Sequence, residues 1–242
     1  MSGKFSLPSR ESGSGRSQVQ LNPSKLTPPN NVYLSHFAQV QLAIAYLMQD
    51  DSLNAPTPEI RERQLAISKK YKERAEEIEA LIVKGGASEM DLQAEIRDRL
   101  DLLVQRTEGL GWHEDLMRIY IVFGILEDSL QQVAKGLSPA KRIKIETLML
   151  DNSLQSFCQD ELEKAIAENP EITGRLAMFG RMVVADALLE VRDSVSLDAL
   201  LPDPRPTDPT ELAREQFRVL EPFTSELISE HTLRMDRLGL TA

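Results

Sequence analysis

Residues 32–49 read VYLSHFAQVQLAIAYLMQ, eighteen positions without a charge in a chain where 27% of residues are charged. Such a segment either crosses a bilayer or is surrounded by protein. Ser35, His36, Gln39, Gln41 and Gln49 bring too many hydrogen-bonding groups for hydrocarbon, and the run barely reaches across a core of about 30 Å. It therefore predicts a helix enclosed by other helices, and no membrane span is expected.

The rest of the chain supplies candidates to enclose it. Thr57-Pro58-Glu59 opens a helix with Thr57 as N-cap and proline in the first turn. Ile60, Ile67, Tyr71, Ala75, Ile78 and Ile82 then form one apolar stripe, and Gly85-Gly86 ends it. A third helix runs from Ser88, with a Ser88-x-x-Asp91 capping box, to about Thr107. Residues 113–135 are apolar nearly all round, which predicts a second central helix. Ser138-Pro139 starts a helix expected to run to Asn169, where Pro170 stops it. Further helices are expected over 171–196 and 209–238, the last closed by Gly239 and carrying Pro222 inside. No strand-like alternation stands out, so the fold class is all-α.

Residues 1–31 combine seven serines and four prolines with Gly13 and Gly15, too little apolar surface to offset chain entropy. They are expected to be a disordered tail, leaving 32–242 as one helical domain. The formal charge of -10 is uneven: the first 31 residues carry +3, which leaves -13 for the remainder. An acidic body disfavours a broad phosphate-binding face. The basic runs Lys69-Lys70-Tyr71-Lys72-Glu73-Arg74 and Lys141-Arg142-Lys144 read as solvated faces, so RNA is not the expected partner. The single cysteine, Cys158, forbids an intrachain disulfide and suits a reducing, cytoplasmic setting. It reads as a small buried apolar residue.

Three stretches resemble a ferritin-like family of actinobacteria related to the tRNA hydroxylase MiaE: Tyr120–Ala134 (YIVFGILEDSLQQVA), Gly174–Leu188 (GRLAMFGRMVVADAL) and Ser229–Leu240 (SEHTLRMDRLGL). The likeness spans about residues 33–240. It implies a ferritin-like four-helix bundle with additional packed helices. It also implies an inward carboxylate on the first bundle helix, Glu-x-x-His on the second, an acid on the third and a His-bearing motif on the fourth, together holding two irons.

The residues depart from that ligand set. The only histidines are His36, His113 and His231, and three positions before them stand Tyr33, Leu110 and Ile228. No Glu-x-x-His exists, so the two-residue inward pair that i and i+3 spacing provides cannot form. The resemblance sets the first carboxylate at Gln39, the second motif near Ile67 and Lys70, and the fourth at Asp151 and Leu154. Helical wheels still turn two acids inward, Glu127 on the face of Phe123, Leu126 and Leu130, and Asp151 on the face of Leu154 and Cys158. Either these hold a residual metal, or each is paired or hydrogen-bonded, with Lys70 the cation expected to replace the metal's charge. His113 reads as a helix-start side chain in solvent and His231 as a packing residue that a helix C-terminus would favour when cationic. Met178, Met182 and Phe179 could receive a partner helix or belong to the core.

The expectation is a ferritin-like protein without a di-metal site, acting in non-catalytic interaction or regulation, with no catalytic, cofactor-binding or metal-binding residues to name and no cofactor. A protein partner of unknown identity, including a second copy in a homodimer, is expected. The alternatives are an oxygen-activating enzyme such as a MiaE-like di-iron tRNA hydroxylase with atypical ligands, and a dry ligand cavity lined by Leu42, Phe123 and Leu154.

Overall fold

The computed structural model describes residues 22–82 and 87–242. Among them there is no strand, and the α-helices are α1 (Asn30–Asp51), α2 (Pro58–Glu79), α3 (Ala87–Arg106), α4 (Trp112–Arg118), α5 (Gly124–Val133), α6 (Pro139–Leu148), α7 (Ser153–Glu168), α8 (Thr173–Met182), α9 (Val184–Ser194) and α10 (Pro209–Arg237). No helix of the described residues is long and apolar enough to cross a membrane.

The charge-free run forms α1, and every residue from Tyr33 to Gln41 is buried. Enclosure on all sides is why no charge could be tolerated there. Helices α4 and α5 join through one wide turn, Ile119–Phe123, whose five side chains are all buried. The inserted residue of such a π turn keeps one continuous rod while rotating the turns beyond it. This rod, α1, α2 and α7 form the four-membered ring: α1 packs on α2 and on the rod, and the rod packs on α7. The Arg63 guanidinium closes the ring between α2 and α7, pairing with Glu161 at 2.7 Å and lying over the Phe157 ring. Around the ring, α3 packs on α1, α8 on α4, α9 on α5 and α3, and α10 on α5. The fold is thus an all-α bundle with additional helices packed on it.

Local chemistry sets the boundaries. Thr57 caps α2 by accepting from the Ile60 amide, with Pro58 first in the helix. Asp208 caps α10 by accepting from Thr210 and Glu211 at 2.9 Å each. At the other end Gly239 takes a φ of 66°, and the Leu240 amide reaches back to the Met235 carbonyl at 2.9 Å. That left-handed turn is accessible to glycine without a Cβ clash.

Two expected helices are divided. The stretch 139–169 breaks after Leu148, because the Asp151 carboxylate accepts from the Ser153 amide at 3.0 Å and from its hydroxyl at 3.1 Å. A short acid bonding its own backbone two residues on competes with helix continuation. The stretch 171–196 becomes a turn at Pro170–Ile172 followed by α8 and α9, separated at the β-branched pair Val183-Val184.

Of the expected tail, residues 1–21 lie outside the described residues, as do Gly85-Gly86 and the Ser88 side chain. Residues 22–29 are docked rather than loose: Leu26 is fully buried, the Thr27 hydroxyl donates to the Val133 carbonyl, and the Leu26 carbonyl accepts from Ser196.

Candidate functional site

On α2, Ile67, Tyr71, Arg74 and Ile78 follow one another at steps of four, three and four, so Arg74 points along the apolar stripe into the ring. On α1, Gln41 occupies the matching inward position. On α5, Glu127 faces them both. Arg74 Nη1 donates to Gln41 Oε1 at 3.0 Å and lies 3.6 Å from Glu127 Oε1, while Nη2 lies 3.6 Å from Asp151 Oδ2. The guanidinium is 6% exposed and sits 4.4 Å from the Tyr71 ring centroid. Glu127, 13% exposed, also accepts from the Tyr71 hydroxyl at 3.2 Å and from Gln41 Nε2 at 3.5 Å.

These groups satisfy one another. Burial pushes the Glu127 carboxyl up, opposed by the Arg74 charge and by the bonds from Tyr71 and Gln41. Burial and the Glu127 charge push the Tyr71 phenol well up, so it is a fixed donor at neutral pH. Asp151 is held below the ordinary range: its partial burial is outweighed by the Ser153 bonds and by Lys70 and Arg74. With Lys70 Nζ 3.5 Å from Asp151, two cations meet two carboxylates. A buried guanidinium is costly alone, but planar donors aimed at three acceptors offset much of that penalty.

The inward positions named from the sequence are only partly occupied by the residues expected there. Glu127 enters the bundle as the wheel indicated. Asp151 does not: it lies in the break between α6 and α7 with its side chain about one-third exposed. Lys70 does pair with Asp151, but at the surface; the cation at the centre is Arg74, one turn further on. Gln39 is buried as well, but the α1 amide that reaches Arg74 and Glu127 is Gln41, two residues further on. Ile67 and Leu154 are core residues. Phe123 and Leu154 are likewise closed into the common core.

A di-metal centre, as the ferritin-like resemblance implies, does not fit this donor set. A metal would have to share the centre with the Arg74 guanidinium, which already donates to the Gln41 oxygen and lies 3.6 Å from both carboxylates. Two acids without an inward imidazole also fall short of a non-haem iron ligand set.

The histidines lie elsewhere. His36 Nε2 donates to Glu190 at 3.0 Å, and Arg99 pairs with the same carboxylate at 2.9 Å, tying α1, α9 and α3 together. Burial pulls Glu190 up, but these two donors hold it below its usual range. Nothing in the local sequence signalled this triad, whose members are as far as 154 positions apart. His113 is half-buried, edge-on to Trp112, and its pKa is lowered by burial and by Arg175. His231 is buried, and desolvation together with Arg234 lowers it to about 4. It is therefore neutral, and it sits well inside α10, so the cationic helix-end role does not apply.

On α8 the apolar cluster is divided: Phe179 is core, whereas Met178 and Met182 are 62% and 60% exposed. The basic runs are largely neutralised. Lys69 pairs with Glu73, Lys144 with Glu77 and Arg142 with Glu146, and Lys72 donates to Gln49.

No curated protein matches the chain. The family model of the actinomycete ferritin-like domain matches residues 33–201, well over half of the chain, taking in all of the ring but the first three residues of α1, together with α3, α8 and α9. The chain belongs to this ferritin-like domain family of actinomycetes.

Proposed function

We propose that this protein is a metal-independent member of the ferritin-like family that works through its surface, as a non-catalytic interaction or regulatory protein of the cytoplasm. The observation that carries the reading is Arg74. In the centre of the ring, where a metal pair would neutralise inward carboxylates, a guanidinium fixed to α2 faces Gln41, Glu127 and Asp151. The chain's own cation supplies the positive charge, so assembly needs no metal and the centre offers no open coordination position.

Met178 and Met182, one helical turn apart on α8, give such a protein an adaptable apolar contact. A second copy of the chain is the partner we would test first. The paired state of the basic side chains supports a protein partner over RNA.

The test is thermal unfolding of chelator-treated protein with and without added Fe(II) or Mn(II). A ligand that binds only the native state raises the midpoint by mass action. The expected result is no shift. A saturable rise would return the protein to the oxygen-activating class, with a MiaE-like hydroxylase as the first activity to assay. Sedimentation of wild type and a Met178→Ser, Met182→Ser variant checks the surface: self-association in the first and its loss in the second, at equal stability, are expected.

A further inference from the structure

The family match begins at residue 33 and ends at 201, so residues 22–29 and helix α10 both lie outside it, at opposite ends of the chain. The structure ties one to the other. Residues 22–29 form a strap: a single 3₁₀ turn, Pro23–Leu26, then Thr27 and two prolines that lead into α1. Proline fixes φ, so Pro28-Pro29 sets the direction in which the strap departs from the helix.

The hold of the strap on the body is slight. Leu26 is fully enclosed, Pro28 is buried, and the Thr27 hydroxyl donates to the Val133 carbonyl at 2.6 Å. The chain passes close against it at Gly136, where a Cβ would overlap the Thr27 hydroxyl and the Ser24 carbonyl oxygen. A segment secured by one short turn and a pair of hydrogen bonds belongs to the part of a fold that opens locally at small cost.

The second of those hydrogen bonds joins the two ends. The Ser196 amide donates to the Leu26 carbonyl at 2.8 Å. Ser196 stands two residues beyond the end of α9, where the segment leading to α10 begins. Leu197 beside it is buried, and its carbonyl accepts from the Leu200 and Leu201 amides, so the first turn of that segment is placed from this point. Helix α10 has no buried residue from Pro209 to Val219; its first is Leu220. What adjoins this stretch is the end of α9 and the same connecting segment: Gln216 shares a cleft with Val195, Ser196 and Leu197, and the Arg192 guanidinium lies 5.8 Å from the Phe217 ring centroid. The far part of α10 is anchored independently, with Arg234 paired to Asp128 at 2.7 Å and Met235 fully enclosed.

We propose that residues 22–29 are a latch for the start of α10. Seated, the latch fixes Ser196 and with it the segment that runs to Pro209. Unseated, it frees that segment and the stretch Pro209–Val219, while the ring and the far part of α10 stay packed. Residues 1–21 run straight into the latch, so a protein partner that takes them up acts on α10 through Leu26 and Ser196.

Hydrogen exchange of the full chain, read by mass spectrometry, tests this in two variants that act from opposite sides. Leu26→Asp sets a carboxylate in the enclosed seat, where its desolvation drives it out. Gly136→Ala leaves the latch sequence intact and pushes on it from the body; Gly136 has no positive φ, so its backbone accepts alanine. Both should accelerate exchange over residues 195–219 at least about tenfold, as loss of the Leu26 burial implies. Exchange in α1 and α2 should stay as in wild type. A wild-type rate over 195–219 in either variant, or acceleration that spreads equally through α1 and α2, would overturn the proposal.

Discussion

Replacing Arg74 by methionine removes the central cation while keeping an unbranched apolar stem. Glu127 is then left in the bundle with only Tyr71 and Gln41 as partners, whereas Asp151, being partly exposed, keeps Lys70 and the Ser153 bonds. Removing one member of a buried pair typically costs about 3–5 kcal/mol, and with a single carboxylate orphaned the lower end, about 3 kcal/mol, applies here. The loss has a pH signature. Burial already raises Glu127, and without Arg74 its folded pKa rises further. A carboxyl whose folded pKa is raised contributes most below its unfolded value, and that contribution is lost as pH climbs through the folded value. Arg74→Met should thus be mild at about pH 5 and severe at about pH 8. Adding Glu127→Gln removes the unpaired charge, so the double variant should be more stable than Arg74→Met alone at the higher pH. Urea unfolding of the four proteins at both pH values gives the coupling directly. A loss below about 1 kcal/mol at the higher pH, or additive single effects, would refute the argument, because exposed pairs give values of that size.

Further consequences concern the other enclosed ionisable groups. Asp51 is raised from 3.8 to about 7, chiefly by desolvation, with Arg118 opposing. Its contribution is full below pH 3.8 and is lost as pH rises through about 7. Asp51→Asn should therefore raise the melting temperature at about pH 8 and leave it unchanged at about pH 4, with a ceiling of about 4 kcal/mol at roughly 1.4 kcal/mol per unit. His231 is lowered from 6.5 to about 4, so its contribution is present above 6.5 and lost as pH falls through about 4. His231→Gln should flatten the decline of stability across that window, and a midpoint that falls as steeply as in wild type would show that another group governs it. Glu190, held low by His36 and Arg99, should make His36→Gln tolerable but His36→Leu destabilising, since leucine leaves the carboxylate with Arg99 alone. Chemical denaturation separates the two.

Most of the architecture is legible in the sequence because helix starts and stops are local chemistry. Thr57-Pro58, Asp208-Pro209 and Gly239 declare themselves in a few residues, and the charge-free run announces α1 as enclosed. The break at Asp151 is hidden by apolar spacing that continues from Leu148 to Leu154, although Asp151-Asn152-Ser153 carries the turn chemistry that makes it. Arg74 escapes notice for a different reason. It ends a run of lysines and glutamates that reads as solvent-facing, yet its place four residues before Ile78 and three after Tyr71 sets it on the inward stripe. Registering α1 and α2 from a ligand pattern gives Gln39 and Lys70; registering them from the apolar stripe gives Gln41 and Arg74. The His36, Glu190 and Arg99 contact cannot be read from the chain at all, because it depends on how α9 folds back across the bundle.

The most direct test of the central claim is metal content. The protein would be expressed with added iron and manganese, purified without a metal-binding tag, and analysed by mass spectrometry beside its concentration. Well-folded protein carrying far less than one equivalent of either metal is expected. Near-stoichiometric iron or manganese, retained through purification, would contradict it, because Arg74 and a bound metal pair cannot both neutralise Glu127 and Asp151.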